Sequence, residues 1–74
     1  MNRYEAFARK VCNAMLAIRG YRNPSEAPMA VVNDVFATML RHERRYEAGL
    51  TFNEDPKHTA QDIQDAEWDR DRED

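Results

Sequence analysis

Seventy-four residues, a formal net charge of −3 and a single cysteine bound this chain to one small domain without an intramolecular disulfide or a cysteine-only metal site. No apolar run approaches the roughly 18 residues that span a bilayer, and MNRYEAFARK carries no apolar core of signal-peptide length. A domain of this size buries only about 60–65% of its unfolded surface. With no staple available, docking on a partner or self-association is the expected supplement, in a reducing, cytoplasmic setting.

The first element reads as a helix over about residues 3–19. Asn2 caps it, and Glu5 three positions on completes a capping-box pattern. Tyr4, Phe7, Ala8, Val11, Met15 and Ile18 recur at three- and four-residue steps. Gly20 is the stop.

GYRNPSEAP is the break. Asn23 or Ser25 caps the next helix, with Pro24 or Pro28 in its first turn. Met29, Val32, Val35, Phe36, Met39, Leu40 and Tyr46 form one wide stripe, which predicts a second helix over about residues 26–48, ended by Gly49. Phe36 and Met39 stand near the centre of that stripe and are expected in the core. Ala30, Ala37, Arg41, Arg44 and Ala48 lie opposite. Two such helices on a short connection make an antiparallel hairpin, all-α in class. Its uncovered faces suit a helical bundle formed by dimerisation.

Residues 1–49 are therefore read as the hairpin and 50–74 as an acidic C-terminal segment. Charge divides in the same way: residues 1–48 sum to +3 and residues 49–74 to −6. Leu50 and Phe52 are expected to fold back as a latch. TAQDIQDAEWDRDRED reads as a short, weak third helix capped by Thr59, or as a disordered tail. Its apolar residues are only Ala60, Ile63, Ala66 and Trp68, too few for a core-facing stripe.

Chemistry-bearing residues are sparse. His42 and Glu43 lack the second histidine of an HExxH zinc motif, and His58 stands far away. Cys12 flanks the first apolar stripe and reads as a small buried thiol. No metal or cofactor is expected. Glu43 projects into the second stripe, between Met39 and Tyr46, where Arg3 and the Tyr4 hydroxyl are the expected donors if it is buried. No nucleophile–base pair or paired acid stands on rigid elements, so an enzyme is not expected.

Two surfaces remain. In the acidic segment, Trp68 among Asp62, Asp65, Asp69 and Asp71 suits an interface anchor steered by charge. This predicts an inhibitor, adaptor or accessory factor that docks on a larger protein. In one variant the acids occupy a basic surface of a nucleic-acid-handling complex. The alternative is a nucleic-acid-binding regulator using Arg41, Arg44 and Arg45, which share a face at the basic end of the second helix.

Overall fold

The described residues form four α-helices: α1, Arg3–Ile18; α2, Met29–Arg41; α3, Glu43–Thr51; and α4, Pro56–Arg72. The structure is a computed structural model. It describes the backbone of residues 2–72 and the side chains through Arg70. Among the described residues there is no strand, and no helix is long and apolar enough to cross a membrane.

α1 begins as expected, with the Asn2 side chain accepting the Glu5 N–H at 2.8 Å. It ends in a Schellman motif. Gly20, at φ 101°, lets its N–H reach the Ala17 carbonyl at 3.0 Å while Tyr21 N–H reaches Leu16 at 2.9 Å. Phe7, Val11, Cys12, Met15 and Leu16 form the buried face.

The second predicted helix departs from expectation at both ends. Asn23 does cap, but what it caps is a single 3-10 turn, Pro24–Glu26. Pro28 forces Ala27 into an extended conformation (ψ 131°), so the α-helix starts only at Met29. It then breaks at His42, which is both the last cap of α2 and the first of α3. No glycine or proline stands there. The joint is held from outside, because Arg41 and His42 both reach Glu67 of α4, at 2.6 and 2.8 Å.

Gly49 does not end a helix. It lies buried inside α3, where α4 approaches so closely that a Cβ would stand 3.1 Å from Thr59 Cγ2 and nearer still to its hydroxyl. The end comes at Asn53, in the left-handed region at φ 52°, with Glu54 N–H bonded to the Gly49 carbonyl at 2.9 Å. Asparagine is one of the few non-glycine residues that tolerates this conformation. The expected latch forms only in half: Leu50 packs against the core, and Phe52 is exposed.

The largest correction concerns α4. It is a full helix, begun by Asp55, whose side chain accepts the Lys57 N–H at 3.0 Å, with Pro56 in the first helical position. Thr59 is not its cap but a fully buried residue one turn inside. α4 packs more extensively on α1 than any other pair of helices pack on each other. Thr59, Ala60, Ile63, Gln64 and Glu67 line its buried face, at the steps a helix requires. Three of the five are polar, and each is satisfied. Thr59 donates to Glu54 at 2.6 Å, Gln64 accepts from Arg19 at 3.2 Å, and Glu67 accepts from Arg41. The core thus joins Val11, Met15 and Leu16 of α1, Val35 of α2, Tyr46 of α3 and Ile63 of α4.

Candidate protein-docking surface

α2 carries more apolar surface than this core takes. Viewed down its axis, the buried positions are Val35 and Thr38, with Val31, Val32 and Met39 partly covered. Met29, Phe36 and Leu40 recur at steps of seven and four residues, which places them on one line about a third of a turn away. They are exposed at 70%, 50% and 73%. Phe36, expected in the core, is therefore a surface residue, while Met39 packs against the core from its edge.

The place beside Val35 goes instead to Thr38, a polar residue with every need met. Its hydroxyl donates to the Asp34 carbonyl at 2.8 Å and accepts from Arg41 at 3.0 Å. Arg19, the C-cap of α1, stands behind it, paired with Asp34 and 3.4 Å from the same hydroxyl. This polar seam ties α1, α2 and α4 together and turns the bulky end of the stripe outward.

Phe36 and Leu40 of this line border a groove of about 210 Å³ between α1, α2 and α3. Tyr4 and Ala8 form one wall, Phe36 and Leu40 the other, and Tyr46 and Met39 the floor. Tyr4 meets Tyr46 edge to face, with ring centroids 5.6 Å apart, an arrangement that fixes both rings. Burial pushes the Tyr46 phenol up to about 12, so its hydroxyl stays neutral, 3.4 Å from the Tyr4 carbonyl. The groove is smaller than the roughly 300–1,000 Å³ of a drug-sized ligand site. Its size suits side chains of a partner.

Glu43 lines this groove too and is exposed. Arg3 does not reach for it. That guanidinium donates to the Leu50 carbonyl at 2.7 Å. Among the described residues Glu43 makes no ion pair.

The residues singled out in the acidic segment separate. Asp62 is half-buried and is held by Arg45. Asp65 is exposed and accepts from Gln61 at 2.9 Å. Trp68 is about half exposed and Asp69 is exposed, both off the buried stripe of α4. Asp71 lies outside the residues whose side chains are described. The basic cluster separates as well. Arg41 binds Glu67, and Arg45 bridges Glu54 at 2.8 Å and Asp62. Of the three, only Arg44 makes no ion pair among the described residues.

Glu54, His58 and Asp62 bring three donor atoms within 4.8 Å of one another. Arg45 bridges both carboxylates, and His58 also contacts them. Arg45 and Thr59 hold the Glu54 carboxyl down at about 2. The cluster is an internal clasp between α3, the 52–55 turn and α4, and no metal is assigned to it. Arg41, and then His42, likewise hold Glu67 below the usual carboxylate range. A second concavity, about 450 Å³, lies between α1 and the start of α4, with Ala14 and Ala17 among its lining residues. It offers no large apolar side chain as an anchor.

Compared with known proteins, the chain matches no family model, no curated protein and no solved structure.

Proposed function

We propose that this chain is a small, non-enzymatic interaction factor that docks on a larger protein through the exposed face of α2. One observation carries the reading: Met29, Phe36 and Leu40 stand in line on the surface, and Phe36 and Leu40 line an apolar groove. Single exposed apolar residues are ordinary, but an aligned set beside a groove is the usual mark of an interface. The only thiol, Cys12, is buried, and its pKa is pushed up by that burial, which suits packing in a reducing cytoplasm better than nucleophilic chemistry.

The acidic surface and the basic cluster have less support as primary contacts. Asp62 and Glu67 are spent on Arg45, Arg41 and His42, which leaves fewer acids to imitate a phosphate backbone. The same pairs leave Arg44 without the company a nucleic-acid surface needs.

Capture from a lysate of the source cells, with wild type beside Leu40→Asp, tests the reading. Leu40 is exposed, so the variant should fold and melt normally. Wild type should retain a stoichiometric protein that Leu40→Asp loses and Trp68→Ala keeps. Equal retention by Leu40→Asp would overturn the assignment to α2. Sedimentation of the free protein decides the rival occupant, since a dimer that Leu40→Asp dissociates would give the face to a second copy.

A further inference from the structure

We propose that the α2 face takes an amphipathic helix bearing a basic residue beside its apolar anchors, and that Glu43 selects that residue. This rests on the docking reading above and names the chemistry of the partner.

The shape of the surface argues for a helix. Met29 to Leu40 runs along the axis of α2 for about 16 Å, or three helical turns. Among the described residues no strand offers an open edge, so an extended peptide would find no ladder to join. A helical occupant satisfies its own backbone and needs only apolar side chains at three- and four-residue steps. Phe36, Leu40 and Tyr4 offer it a matching apolar wall.

Glu43 supplies the selectivity. Among the described residues it is the only charged group lining the groove, and it has no ion-pair partner there. Its place in the first turn of α3 suits a carboxylate, which the helix dipole favours there. An occupant changes that. It removes water from the carboxylate, and a buried, unpaired charge is heavily penalised. An occupant with a lysine or arginine at that point replaces the water with a charge-assisted hydrogen bond. A second copy carries the same net charge of −3, so long-range repulsion opposes it, although it would bring Arg44 one turn beyond Leu40. Charge complementarity therefore favours a foreign basic helix.

The probe is a displayed library of 16-residue helices with leucine fixed at three positions spaced i, i+4 and i+7 and all other positions random. It is selected in parallel on wild type, Leu40→Asp and Glu43→Lys, each first shown to melt cooperatively. Wild type should enrich helices with Lys or Arg next to the leucines, and Glu43→Lys should enrich Asp or Glu there. A selected basic helix should bind Glu43→Gln about tenfold more weakly than wild type. Helices held by wild type and lost by Leu40→Asp, but without a basic preference, would overturn the role of Glu43 and leave the docking reading standing. If wild type enriches nothing above Leu40→Asp, the helical occupant is overturned, and the docking reading then stands or falls on the capture experiment.

Discussion

Gly49 of α3 lies directly against Thr59 of α4, with no room for a methyl group between them. The neighbour cannot easily yield, because the Thr59 hydroxyl is tied to Glu54 at 2.6 Å. In an open helix, glycine to alanine stabilises by about 1 kcal/mol. Here overpacking, at about 1–3 kcal/mol, should win. Gly49→Ala should lower stability in urea unfolding. Adding Thr59→Ala, which removes the two obstructing threonine atoms, should recover part of the loss beyond additivity. Additive costs would show that the two helices do not meet there.

The placement of Ile63, Trp68 and Phe36 predicts an order of costs. Ile63 is fully buried between α1 and α4, so Ile63→Ala should cost about 2–5 kcal/mol, a large share of a small domain's stability. Trp68 and Phe36 are about half exposed. Their alanine variants should each cost less than Ile63→Ala, although the rings are larger. Chemical denaturation of the three variants tests the order. If Trp68→Ala proved the most damaging, the packing face of α4 would be misplaced.

Acid should weaken the fold through Glu54 and Glu67. Arg45 and Thr59 hold Glu54 at about 2 in the folded chain, against an ordinary value of 4.5. Its contribution is therefore complete above about pH 4.5 and is lost as the pH falls from there toward 2. Glu67, lowered by Arg41 and His42, acts in the same direction. The melting temperature should fall over this window. In Arg45→Met it should start lower and fall less. A parallel decline in both proteins would mean that Arg45 does not set the Glu54 pKa.

Cys12 reports on opening. The thiol is buried, and burial raises its pKa. Thiol reagents at neutral pH should therefore modify it slowly in the native chain and rapidly in urea. Gly49→Ala and Ile63→Ala should both speed the native reaction, because each raises the population of open chains. Labelling as fast as that of a free thiol would contradict its burial.

What the sequence made legible depended on where each signal resides. The start of α1 at Asn2 and its stop at Gly20 are local, and both were readable. Asp55–Pro56 is as plain a start signal, but counting apolar residues in α4 obscured it. That count passes over Thr59, Gln64 and Glu67, which enter the interior because partners on other helices satisfy them. The break at His42 has no local cause and could not be foreseen without Glu67 beside it. The α2 stripe was visible, but which half of it faces water is decided by the seam of Arg19, Asp34 and Thr38. That is why Phe36 faces water although its stripe predicts burial.

The pairing of α1 with α4 also bears on how the chain is made. Val11, Met15 and Leu16 leave the ribosome early, while Ile63, which closes over the same core, leaves among the last of the described residues. Until then α1, α2 and α3 have no complete interior to enclose. Contacts so distant along the chain must bring both ends together before they repay the cost of closure. Folding should therefore wait until Ile63 has emerged. A ribosome stalled before Ile63 emerges should hold a nascent chain that proteases cut freely.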